Sequence, residues 1–419
     1  MTEHTSWYSP SEAPTQRITR VELTPEPAQE PGAQKPGEQV AGEKAAGEKA
    51  PGKPRAEWAD LAKGLCIILV VLWHVIMKHY LQIDWHLPVP LPGAWGAFGE
   101  QLLPLRMPVF FTISGMFAAS AVQRPWPVVR RSKIAKFYYL YAIWFVVHTT
   151  VLAFVPDFDT LAARNALDVL EELTITPTNL WYLIALALYF VIAKLTRRLP
   201  VAVVLGAAFL LSAVASAGLL ASPGNRGQLY QNLFFFLAGL RLKPWVEKLA
   251  ASATLRLVLF GAVGYLGVMA VLQLLGAKQW FGVWPVASSL AVVLGVAIAA
   301  RLQRWRWLSA RLAELGRQTL PIYVMHMPLL ALLHLALLRP FSALGTPGQL
   351  VLAALLPPVL TALLIWVCLR LHRGLKAVGA TWLFDLPGPR RARQEPPSAE
   401  PAQPEWSEEP TRVLPVVRP

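Results

Sequence analysis

Residues 57–81 read EWADLAKGLCIILVVLWHVIMKHYL, and this stretch decides the fold. A charged entrance (Glu57, Asp60, Lys63) leads into an apolar run of a length suited to a hydrocarbon core about 30 Å thick. One ionisable residue, His74, sits near the middle of that run. Lys63 and His74 are eleven residues apart, about three helical turns, so they share one face about 16 Å apart along the axis. Asp60 lies one turn before Lys63, close to the same face. An ionisable residue inside a membrane helix is costly and faces a protein interior or a wet cavity. The rest of the chain is therefore read for what it can bring to His74.

The chain has 419 residues, 55% hydrophobic and only 15% charged, with a mean hydropathy of +0.43. That composition describes an all-α, multi-pass integral membrane protein rather than a soluble domain. A net charge of +14 raises the question of nucleic acid. The positive charges fall in short loops between apolar runs, however, which is a topology signal, and no nucleic-acid partner is expected. Ten helices are expected, near 62–81, 94–122, 134–155, 179–196, 199–221, 228–243, 255–276, 281–301, 317–339 and 349–372. The second contains Pro104 and Pro108 and is expected to kink or break. Residues 57–372 form the expected membrane domain. Residues 1–56, rich in Pro, Gly, Glu, Ala and Lys, are expected to be a disordered cytoplasmic tail with no cleavable signal peptide, and 373–419, of the same character from 386 on, a mostly disordered one.

Orientation follows from alternate loops. One set holds seventeen Lys and Arg, including Arg130, Arg131, Lys133, Arg197 and Arg317, while the other holds five (Lys78, Arg164, Arg226, Lys278, Arg339). This asymmetry puts both termini in the cytoplasm and the chain in the plasma membrane, among lipids. Cys66 and Cys368 both fall in apolar helices and imply no disulfide.

Depths counted from the cytoplasmic helix ends group the polar residues. His74 lies about 16 Å up its helix, Ser114 about 13 Å, and Tyr323 and His326 about 9 and 13 Å. Arg106 stands about 12 Å further out than Ser114, too deep for a loop arginine. Each residue also has a plain structural reading. A transmembrane His can bond a neighbouring helix, Ser114-Gly115 is more often a packing contact than a nucleophile, and Arg130 and Arg131 belong first to a positive-inside loop. His79, His86 and His148 are expected to be solvated at outer helix ends. No metal-ligand spacing, phosphate loop or dinucleotide fingerprint is present, and no bound cofactor is expected. These residues alone fit either an enzyme or a transporter with a mid-membrane His/Arg site.

Several motifs narrow the choice. DLAKGLCIILVVLWH at 60–74, MPVFFTISG at 107–115, NLWYL at 179–183, FFFLAGL at 234–240 and LPIYVMH at 320–326 occur in this order. Together they resemble the membrane-bound acyltransferase family 3, on its sugar O-acetyltransferase and fucose 4-O-acetylase-like side. The resemblance implies a ten-helix core and acyl transfer, usually of acetyl, from acyl-CoA to a hydroxyl of a glycan or lipid-linked sugar. It implies that His74 is the essential first-helix histidine. Lys63 stands where the family often has Arg, and Met116 replaces the Phe of a Ser-Gly-Phe motif. On this reading His74 is general base or acyl carrier, with Lys63, Arg130 and Arg131 toward CoA phosphates and Arg106 toward an oxyanion or the acceptor. Ser114 completes the expected catalytic group, and Tyr323, His326, Asp60 and Trp181 are expected to line the substrate path. A separate extracytoplasmic partner is a further expectation, and a transporter or flippase is the alternative.

Overall fold

The computed structural model describes residues 56–387, whose regular structure is all helical, with no strand among the described residues. The chain runs α1 (Glu57–Lys78), α2 (Leu91–Gln101), α3 (Leu103–Gln123), the short α4 (Trp126–Val129) and α5 (Lys136–Leu152). It continues through α6 (Ala166–Thr174), α7 (Trp181–Leu195), α8 (Val201–Ser216), α9 (Arg226–Arg241) and α10 (Lys243–Ala251). It closes with α11 (Leu255–Leu274), α12 (Val283–Leu302), α13 (Arg306–Arg317), α14 (Thr319–Ser342) and α15 (Thr346–Ala377). Six stretches are long and apolar enough to cross a membrane: Glu57–Gln82, Leu91–Gln123, Leu255–Leu274, Val283–Leu302, Thr319–Ser342 and Thr346–Ala377.

All ten stretches expected to be helical contain a helix, yet α5, α7, α8 and α9 have only 15–17 residues. At 1.5 Å per residue they reach about 22–26 Å, short of a full hydrocarbon core. The expected break in the second helix falls at Leu102, between α2 and α3. Pro104 then occupies the first turn of α3, where a missing N–H is harmless, and Pro108 sits inside the helix.

Four helices meet by direct backbone approach. A Cβ on Gly64 of α1 would overlap the Leu312 carbonyl of α13, and one on Gly316 would overlap the Asp60 carbonyl. A Cβ on Gly115 of α3 would overlap the Phe236 carbonyl of α9, and one on Gly239 would overlap that of Thr112. Small residues that let backbones touch are the usual means of packing helices where lipid weakens the hydrophobic drive. Around these crossings α1 also packs on α3, α12, α14 and α15, which makes it the central helix. In contrast α11 packs chiefly on α12 and turns Phe260, Val263, Leu266 and Leu274 outward, an apolar surface suited to lipid.

After α15 the chain folds back. Tyr139 and the Trp144 indole donate to the Trp382 and Leu383 carbonyls, Lys136 pairs with Asp385 at 2.8 Å, and Phe384 is buried. Ordered chain therefore extends past residue 372, to the end of the described residues. Residues 1–55 and 388–419, where most of both expected tails falls, lie outside the described residues.

Candidate active site

The site forms where α1 and α14 bring two histidines together. His326 Nδ1 lies 2.7 Å from the Tyr323 carbonyl and 3.1 Å from that of Ile322. Carbonyls only accept, so this nitrogen carries the proton and Nε2 is left as an acceptor. Nε2 stands 3.3 Å from His74 Nδ1, which itself lies 2.8 Å from the Val70 carbonyl. His74 Nδ1–H is thus shared between a carbonyl and the His326 ring. The tautomer that follows from these bonds leaves the lone pair of a neutral His74 on Nε2, which has no hydrogen bond among the described residues. A ring held in this way presents a fixed lone pair that can accept a proton, and His326 fixes its orientation. His326 is buried and His74 half-buried.

On one side of this pair lies a cavity of about 240 Å³ lined by Lys63, Ser114, Phe117, Lys133, Tyr182 and Tyr323 among others. Lys63 Nζ is 3.5 Å from Asp60 and 5.1 Å from the Phe117 ring centre. Lys133 reaches the cavity from a π-helical turn, Arg130–Ala135, ahead of α5, with its Nζ 5.7 Å from the Phe190 ring. Burial, with Lys136 and Arg124 nearby, pulls the Lys133 ammonium below its ordinary pKa. At the inner wall Tyr323 donates to the Asn179 carbonyl at 2.8 Å and accepts from the Tyr182 amide at 3.2 Å. The Tyr182 hydroxyl is 3.1 Å from Ser114 Oγ. The Tyr323 ring lies 6.0 Å from that of His326, so one layer of side chains separates the cavity from the histidine pair.

On another side stands Arg106. Its guanidinium lies 4.1 Å from the Trp73 ring centre, and the Trp73 ring is 4.9 Å from His74. Arg106 is 8% exposed, and neither Nε nor Nη1 has a hydrogen-bond partner.

Several expectations change in this light. Ser114 spends its hydroxyl proton on the Phe110 carbonyl at 2.8 Å, and no base lies within hydrogen-bond reach among the described residues. Its oxygen also meets the Tyr182 hydroxyl, the geometry of the packing reading, and Gly115 beside it serves the α3–α9 crossing. Trp181 packs 5.7 Å from Phe111 and does not line the cavity, whereas its neighbour Tyr182 does. One residue is about 100° on a helix, and the sequence does not say which side faces inward. Arg130 and Arg131 are exposed, Arg131 beside a separate surface groove with Lys136 and Asp385. Lys133 is the cation of that cluster that enters the cavity.

His79 and His148 are not solvated. His148 Nε2 donates to the Val324 carbonyl at 2.8 Å, next to the site. His79 is wholly buried with its Nδ1 3.2 Å from His334 Nδ1, a second pair between α1 and α14. His86 is exposed, as expected. No group of three or more His, Cys, Asp or Glu suited to a metal occurs among the described residues.

A helical membrane protein with a half-buried, oriented histidine and two lysines in an adjoining cavity has the parts an intramembrane transferase needs. Residues 56–373 match the family profile of the acyltransferase domain named acyltransferase 3, about three-quarters of the chain. The chain belongs to this family. It is also 29% identical over 322 residues to the inner membrane protein YcfT of Escherichia coli (strain K12), covering 73% of this chain and 88% of that protein. No solved structure matches.

Proposed function

We propose that the protein transfers an acyl group, most simply acetyl, from cytosolic acyl-CoA to a hydroxyl of a glycan, lipid-linked sugar or related acceptor. The observation that carries this reading is the His74–His326 pair, whose hydrogen bonds free His74 Nε2 as a base beside a cavity that holds two lysines. Lys63 and Lys133 suit the phosphates of CoA at the mouth, and the cavity suits the pantetheine arm. Tyr182 and Tyr323, linked at the inner wall, mark the point the thioester reaches before His74.

In the proposed step His74 Nε2 takes the proton of the acceptor hydroxyl as its oxygen attacks the thioester carbonyl. The C–S bond breaks, and the departing thiolate takes the proton from the imidazolium. The His326 ring, its Nδ1–H fixed by two carbonyls, accepts from His74 Nδ1–H, and that bond strengthens as His74 gains charge and its N–H becomes a stronger donor. On this reading the cavity mouth and both termini lie on the cytoplasmic side of the plasma membrane in a ten-span topology, a reading that the Lys and Arg bias of alternate loops supports.

The test is CoA release from acetyl-CoA by membranes or purified protein in lipid, wild type against His74→Ala. Loss of CoA release in His74→Ala, with the protein folded and present at wild-type amount, supports the assignment. Retention of wild-type rates removes His74 from the chemistry and this function with it.

A further inference from the structure

Arg106 raises a question that the acyl donor does not answer. A guanidinium stays charged in any protein environment, and a buried one needs an anion or a full set of acceptors. Arg106 has neither among the described residues: it makes no ion pair, and its Nε and Nη1 are buried without a hydrogen-bond partner. One more polar atom at this place shares that condition, the indole Nε1 of Trp73, on whose ring Arg106 lies. Native interiors seldom leave such groups unsatisfied unless a ligand satisfies them.

Position decides whose anion it is. Lys63 lies away from Arg106: the Phe117 ring it meets is eleven residues and about 16 Å along α3 from Arg106, and Lys63 itself is ten residues and about 15 Å along α1 from Trp73, on which Arg106 lies. Phosphates held at Lys63 are about 16 Å along α1 from His74. The donor's charges are thus met before the base is reached, and Arg106 stands beside the base itself, across Trp73. A tetrahedral oxyanion exists only transiently and would leave this charge uncompensated in the resting complex. A permanent anion on the acceptor compensates it throughout.

Resting on the acyltransferase reading, we infer that the acceptor is an anionic alcohol, a molecule whose hydroxyl faces His74 while a carboxylate or phosphate of the same molecule pairs with Arg106. Trp73 Nε1 is then a donor for one of its remaining hydroxyls. The arrangement gives the site two anion-binding poles, one for each substrate, with His74 between them.

The experiment uses membranes of the native host containing the full chain, wild type or His74→Ala, supplied with acetyl-, propionyl- or butyryl-CoA labelled in the acyl group. All three acyl groups are uncharged, so the charge of the product is that of the acceptor. The His74-dependent product is passed over an anion exchanger at neutral pH. Retention, with release by salt, is the expected result, and mass spectrometry of the retained product separates phosphate from carboxylate. His74-dependent label in the neutral flow-through overturns the inference and leaves the acyltransferase intact. Absence of any His74-dependent label overturns the acyltransferase reading, and this inference with it. Arg106→Gln is expected to lower labelling of the retained product by roughly 30-fold or more, as for removal of one member of a buried charge pair, with partial recovery in Arg106→Lys. Wild-type labelling by Arg106→Gln also overturns the inference. The charge of the wild-type product decides the matter even if Arg106→Gln does not fold.

Discussion

His74 and His326 are separated by 252 positions in the chain and 3.3 Å in space. Their pairing makes a graded prediction. His74→Ala removes the base itself, and transfer is expected to fall roughly 10²- to 10⁴-fold, the usual range for general-base catalysis. His326→Phe removes only the acceptor that orients His74, so CoA release is expected to fall less than in His74→Ala while acyl-CoA binding stays measurable by calorimetry. An equal loss in the two variants would put both rings in direct contact with substrate. The histidine pair was legible as a coincidence of depth, because rise per residue is fixed. Which residues turn inward was less so: Tyr182 rather than Trp181, and Lys133 rather than Arg130 or Arg131, are choices of helix phase that depend on neighbours far away in sequence.

A second residue-scale effect lies outside the membrane spans, at Glu172 in α6. Its side chain is 7% exposed, with Oε2 lacking a partner. Burial, aided by Asp168 and Glu171, pushes its carboxyl pKa up to about 7. The sign is the reverse of a salt-bridged acid. Between the unfolded value near 4.5 and about 7 the native state binds more protons than the unfolded one, so local stability falls as pH rises through that window. Amide exchange across residues 166–174 is therefore expected to be slower at pH 5 than at pH 8 after correction for the intrinsic rate. Glu172→Gln is expected to abolish the difference, and an unchanged difference in that variant would assign the effect to another group.

Among the elements, the α1–α13 and α3–α9 crossings hold the site in place. Asp60, Lys63 and Gly64 are adjacent on α1, so the glycine contact with α13 fixes the helix that carries His74. Gly64→Ala and Gly239→Ala each press a methyl into a backbone carbonyl. Overpacking of this kind costs about 1–3 kcal/mol, and more where only backbone can yield. Both variants are expected to unfold at clearly lower temperature in detergent, whereas Gly264→Ala on α11, with nothing within 4 Å of the added carbon, is expected to unfold at the wild-type temperature or above. Equal behaviour of all three would deny the crossings their role. The apolar runs made the long helices easy to read, since length and hydropathy are local properties. The amphipathic α13 and its seat on α1 were not, because 301–317 presents itself only as a basic loop until Gly316 meets Asp60.

At the scale of the whole molecule the two cationic poles and the loop charges make a joint prediction about orientation. The cavity proposed for the donor is lined by Lys63 and Lys133, of which Lys133 belongs to the basic segment that follows α3. Acyl-CoA is a cytosolic, membrane-impermeant donor, so function and the positive-inside bias must point the same way. Both native cysteines are buried, which leaves a low background for labelling. In intact cells His86→Cys, in the exposed turn between α1 and α2, is expected to react with an impermeant maleimide. Arg304→Cys, between α12 and α13, is expected to react only after permeabilisation. The opposite pattern would put Lys63 and Lys133 on the face away from acyl-CoA. The loop-charge argument and the donor assignment would then fail together, even if His74 proved essential.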